Sequence, residues 1–161
     1  MSKSRGRRGF TLLELLVVVA VIAILALIAL PNTMDRLVRE QVAEALPLAD
    51  VLKPPVEAAW RVGTPLPADN AAADLPPPEK IVSRLVQSAR LENGAIHLTF
   101  GNSAHRLLAG KVLTLRPAGV ESARIVPLTW LCAGAAAPGN TTVQGANRTT
   151  VPAGLLPVRC R

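Results

Sequence analysis

Residues 9–31, reading G-F-T-L-L-E-L-L-V-V-V-A-V-I-A-I-L-A-L-I-A-L-P, form an apolar run that carries a single carboxylate, Glu14. About 20 predominantly apolar residues cross the hydrocarbon core of a bilayer as a helix. Phe10 to Leu30 supplies 21, with Thr11 and Glu14 the polar exceptions. A charge inside such a segment costs at least about 2.5–3.5 kcal/mol on insertion scales, so by default it is functional. Ahead of the run, Lys3, Arg5, Arg7 and Arg8 hold the N-terminus on the cytoplasmic side. A secretory signal has a shorter apolar core of about 7–15 residues and a small-x-small cleavage site after it. Residues 26–32 hold no A-x-A triplet, so the run is expected to stay in the mature chain.

Basic leader, Gly9-Phe10 junction, Glu14 spacing and apolar run together resemble the precursor of a type IV pilin or pseudopilin. The resemblance implies that a dedicated prepilin peptidase cuts between Gly9 and Phe10 and that Phe10 becomes an N-methylated first residue. It further implies that Glu14 is the membrane carboxylate used in assembly and that Pro31 kinks the helix. The chain then divides into a leader (1–9), a transmembrane and assembly helix (10–31) and a periplasmic or extracellular head (32–161).

The pI near 10.7 suggests nucleic acid or acidic membranes at first sight. Of the 18 basic residues four lie in the leader, which leaves 14 against 11 acidic ones and no basic block. Nucleic acid is therefore a partner that nothing beyond this mild excess supports. Phe10, Trp60, Phe100 and Trp130 are the only aromatics, too few for a platform that stacks single-stranded bases.

Cys132 and Cys160 are the only cysteines, without the CxxC or Cys/His spacing of a metal site. In a domain outside the cytoplasm a disulfide between them is the favoured reading, two free thiols the alternative. The family resemblance also implies a C-terminal loop closed in this way.

From Asn32 to Trp60 the sequence turns polar but keeps a helical period. Val38, Val42, Ala45, Leu46, Ala49, Leu52, Val56 and Trp60 recur at steps of three or four on one face. One long helix is thus expected from Phe10 to about Arg61, half in membrane and half amphipathic, bent or interrupted at Pro31, Pro47 and Pro54-Pro55. Residues 62–80, with six Gly and Pro, read as an irregular loop. Asn93-Gly94 is the strongest short hairpin signal, joining expected strands over 84–92 and 95–101. Residues 81–90 also fit a helix by spacing. Further strands are expected over 111–116, ending at Pro117, and over 124–131; the tail from Ala133 reads as coil. The fold class is α+β, the long helix packed on a four-stranded antiparallel sheet with a disulfide-closed C-terminal loop.

His97 and His105 stand apart from any carboxylate motif, and no nucleophile elbow, phosphate loop or HExxH occurs. No enzyme, cofactor or metal is expected. The sequons at Asn140 and Asn147 are assigned no sugar. The resemblance implies a homo-oligomeric helical filament, a membrane-resident precursor, a prepilin peptidase and inner-membrane assembly machinery as partners, and a surface pilus as destination. Alternatives are a pseudopilin of a type II secretion system and a minor or competence pilin.

Overall fold

The computed structural model describes residues 10–29 and 31–161, without the side chains of 27–33. The chain forms two compact units that divide between Asp35 and Arg36. Helix α1 spans Leu12–Ala29 and α2 spans Pro31–Ala45. Proline is well placed at the first position of α2, where its missing amide would have no intrahelical partner. The bend expected at Pro31 depends on Leu30, which lies outside the described residues.

The interruptions expected at Pro47 and Pro54-Pro55 divide the helix into a series. After α2 the chain tightens into a 3-10 helix, Leu46–Val51, with Pro47 in its first turn. Helix α3, Lys53–Val62, starts with Pro54-Pro55 in its own first turn, where the lost amides are no loss. It ends at Gly63, whose φ of 84° lets its N–H reach back to Ala59 O and Trp60 O. The prolines thus restart the helix without losing its inner face. Val38, Val42, Ala45, Ala49, Leu52, Val56 and Trp60 are all buried, as their period predicts, with Leu46 partly buried beside them.

That face packs on one antiparallel sheet. Its strands are β1 (Val86–Glu92), β2 (Ala95–Phe100), β3 (Val112–Gly119), β4 (Thr129–Cys132) and a two-residue β5 (Thr142–Val143). They run in the order β1-β2-β3-β4, with β5 also paired to β3. Asn93 (φ 47°) and Gly94 (φ 82°) both take positive φ in the tight turn between β1 and β2, as a twisted two-residue hairpin requires. Leu91, Ile96, Leu98, Phe100, Leu113 and Leu115 supply the sheet's side of the core.

Strand boundaries differ from the sequence expectation, most at the end of β3 and the start of β4. β3 runs through Pro117 to Gly119, because Pro117 faces an edge beyond the register of β2, which stops at Leu115. Its carbonyl there accepts from the Gln144 N–H, so the missing amide breaks no β2 pairing. β4 begins at Thr129 instead of Arg124: residues 121–123 form a 3-10 turn, and Arg124 lies over the Trp60 ring at 5.0 Å. The 62–80 loop also carries short 3-10 turns at Ala71–Ala73 and Pro78–Lys80.

That loop closes the free edge of β1. Asn70 is buried, accepts the Leu91 N–H on Oδ1 (2.7 Å) and donates to Ala89 O (3.2 Å) and Pro76 O (2.9 Å). The amides of Asn93 and Gly94 donate to Ala68 O and Pro67 O of the same loop. An edge covered in this way offers no open ladder to another chain.

Candidate functional site

Apart from Glu14 in its first turn, helix α1 is apolar all the way round. Phe10, Leu12 and Leu13 are 77, 78 and 72% exposed, and large apolar side chains stay at least 45% exposed through to Leu25. A helix of this kind belongs inside lipid or inside a larger protein assembly, because water hydrates no part of it well. Exposed apolar surface this continuous marks an interaction site. Among the described residues no helix is long and apolar enough to cross a membrane. The 18 residues of α1 reach about 27 Å at 1.5 Å per residue. A hydrocarbon core is about 30 Å thick.

Glu14 is exposed in the first turn of this helix, and its main-chain N–H donates to Thr11 Oγ1 at 3.2 Å. Thr11 is therefore the N-cap and Glu14 the third helical residue, the spacing of a capping box. Sequence reasoning counted Thr11 only as a polar exception; the Thr-x-x-Glu spacing before an apolar run was the available signal. A carboxylate in the first turn also complements the positive end of the helix dipole. Phe10 immediately precedes the cap. Gly9 and the leader lie outside the described residues.

At the other end of the chain, Cys132 and Cys160 form a disulfide with their Cα atoms 4.5 Å apart. Both are buried, Cys132 at the end of β4 and Cys160 in a short 3-10 turn, Val158–Cys160. The bridge closes a loop that also holds β5. His97 and His105 are not brought together: His97 is buried in β2, whereas His105 sits in the loop after it, its N–H donated to Gln41 Oε1.

The sequence of the apolar helix and that of the helix-on-sheet head each match a known family or motif. Residues 4–30 match the prokaryotic N-terminal methylation motif, and residues 38–161 match the pilin (bacterial filament) family. The chain belongs to the type IV pilin family. A type IV major pilin protein of Neisseria gonorrhoeae is 31% identical over 161 residues, covering 96% of this chain and 87% of the relative. A fimbrial protein of Neisseria meningitidis serogroup B is 30% identical over 164 residues, covering 96% and 94%. A fimbrial protein of Eikenella corrodens is 36% identical over 113 residues, covering 68% and 74%. As a pilin the chain is a structural subunit that polymerises into a filament, a surface pilus.

Proposed function

We propose that the pilin is made as an inner-membrane precursor, cut by prepilin peptidase between Gly9 and Phe10, N-methylated on Phe10 and then added to the pilus by assembly machinery in that membrane. The uniformly apolar, exposed surface of α1 supports this reading most directly, and the methylation-motif match over residues 4–30 supports the processing step. Before assembly lipid covers that surface, with Leu30 and the residues flanking α1 completing the apolar length. In the filament the same surfaces cover one another.

Transfer from lipid to a helix bundle gains little hydrophobic free energy, since lipid tails are as apolar as leucine. A polar interaction must direct the addition. Glu14 supplies it by pairing with the new Phe10 amine of a neighbouring subunit, which neutralises two charges that would each be costly alone in an apolar core. Pro31 lets the helix bend between its lipid-facing part and the head. The finished filament serves adhesion, motility or DNA uptake.

Intact-mass analysis of protein sheared from cells tests the processing. The expected mass lacks residues 1–9 and carries one added methyl. A mature chain starting at Met1 or Ser2 overturns the processing step. Absence of the subunit from sheared filaments, with the processed form retained in the envelope, points instead to a secretion pseudopilus.

A further inference from the structure

The face of the sheet turned away from the helices is crossed by the tail. Alternation along β2 puts Ile96, Leu98 and Phe100 in the helix-side core and turns Ala95 and His97 the other way. Gly145 lies so close to this face that a Cβ would sit 2.6 Å from that of Ala95. Beyond it the Arg148 main-chain N–H donates to Thr114 Oγ1 (3.0 Å). Thr149 Oγ1 and Thr150 Oγ1 accept the amides of Thr114 (3.1 Å) and Val112 (2.8 Å). Residues 144–150 are a strap, and beneath it His97 is 5% exposed and Thr114 fully buried.

The polar groups under the strap suit a neutral His97. Thr114 Oγ1 already accepts from Arg148, so its one hydrogen is free to be donated to His97 Nδ1, 3.0 Å away. Nδ1 is then the acceptor, the imidazole is neutral, and its hydrogen is on Nε2. Nε2 has no hydrogen-bond partner among the described residues, and the nearest carboxylate oxygen, Glu92 Oε2, is 3.9 Å away. The other oxygen of Glu92 is paired with the Arg148 guanidinium.

We propose that Glu92 is a proton-operated latch on the strap. With His97 neutral it holds Arg148. With His97 protonated it turns to the imidazolium, and residues 144–150 lift from the sheet while the Cys132–Cys160 disulfide keeps the tail attached. A proton on Nδ1 also forces Thr114 Oγ1 to accept twice and strands its own hydrogen, which weakens the strap at a second point.

The charged groups facing His97 are Glu92 and Arg90 from β1 and Arg148 from the strap; β3 contributes neutral Thr114. Burial is the main cause that holds the imidazole below its usual 6.5; Glu92 opposes it, and Arg148 and Arg90 add to it. Lifting the strap admits water and removes Arg148, so release favours protonation just as protonation favours release. Proton and strap therefore compete for one site, and the coupling is reciprocal.

Hydrogen exchange on the full chain in detergent, at pH 7.5 and about pH 5 and corrected for the intrinsic rate, tests the latch. Protection over residues 142–151 should fall at about pH 5 by several-fold and at most about thirtyfold, the protonated-to-neutral ratio there of a histidine with an ordinary pKa. Protection over 96–100 should hold. His97→Gln should abolish the response, and His105→Gln, which removes the only other histidine, should keep it. Unchanged protection of the strap in the natural chain overturns the latch, as does a response that persists in His97→Gln. Should His97→Gln fail to fold, His105→Gln decides: a lost response there overturns the proposal and a retained one supports it.

Discussion

Gly119, the last residue of β3, lies flush against the indole of Trp60 on α3: a Cβ on Gly119 would stand 2.4 Å from Trp60 Cζ2. The ring has no easy retreat, being 4% exposed and covered by the Arg124 guanidinium. Gly119→Ala should force the sheet end away from α3 and destabilise the head by about 1–3 kcal/mol, the usual range for overpacking a filled core. Urea unfolding followed by tryptophan fluorescence reads this directly, since Trp60 and Trp130 are the only tryptophans. An unchanged midpoint would mean that the ring can shift at little cost.

Asn70 closes the edge of β1 with three side-chain hydrogen bonds. Asn70→Ala leaves the Leu91 N–H without its partner in a buried setting, where an unsatisfied group costs about 1–3 kcal/mol. Asn70→Asp should be only partly tolerated: Oδ1 still accepts from Leu91, but two carbonyls then face a carboxylate. Hydrogen exchange should rise at Leu91 and across residues 66–80 in both variants, more than in β3. A rise spread evenly over the sheet would deny the loop its role as an edge cover.

The pattern of apolar residues foretold the helix face and the first hairpin because both follow from local periodicity and turn chemistry. Val38 through Trp60 kept one buried side across Pro47 and Pro54-Pro55, since each proline falls where a new helical turn begins. What escaped was non-local. Pro117 reads as a strand terminus by itself, and only the register of β2 against β3 shows that its ring faces a position without a β2 partner. The strap over His97 is likewise invisible in the sequence, because threonines 149 and 150 act as edge partners for β3 from a segment that has coil composition. In α1 the apolar run and its one carboxylate, Glu14, stand in the sequence itself, whereas the cap at Thr11 needed the start of the helix to be located.

Acid should weaken the fold through His97. Its pKa in the folded head lies below 6.5, mainly from burial, while in the unfolded chain it takes the ordinary value of about 6.5. Below that pH the unfolded state binds the extra proton first, so unfolding free energy falls with falling pH. The contribution is whole above about pH 6.5 and is lost as pH drops through the folded-state value. Urea midpoints measured between pH 8 and 5 should decline on this limb, and His97→Gln should flatten the decline. A decline of equal size in that variant would assign the effect to carboxylates instead.

Replacement of Glu14 should separate assembly from folding. The sheet, the core and the disulfide belong to the unit from Arg36 onward, so Glu14→Ala should leave the head folded and oxidised. Locally α1 loses a first-turn carboxylate worth about 0.3–1 kcal/mol against the helix dipole, while Thr11 still caps the Glu14 position through the main chain. Membrane residence should become easier, because the insertion cost of an acidic side chain disappears; at the centre of a bilayer that cost is about 2.5–3.5 kcal/mol, and it is less near the interface. Assembly should suffer in the opposite sense, since the Phe10 amine of a neighbour would enter an apolar bundle with no counter-charge. Cells carrying the variant should therefore accumulate processed, disulfide-bonded subunit in the membrane fraction and show few or no filaments by electron microscopy. Glu14→Gln discriminates further: it keeps a hydrogen-bond acceptor but not the charge, and should assemble poorly if neutralisation of the amine is what directs addition. Filaments at normal number from either variant would remove Glu14 from the assembly step and leave its favourable place at the positive end of the helix dipole as its role.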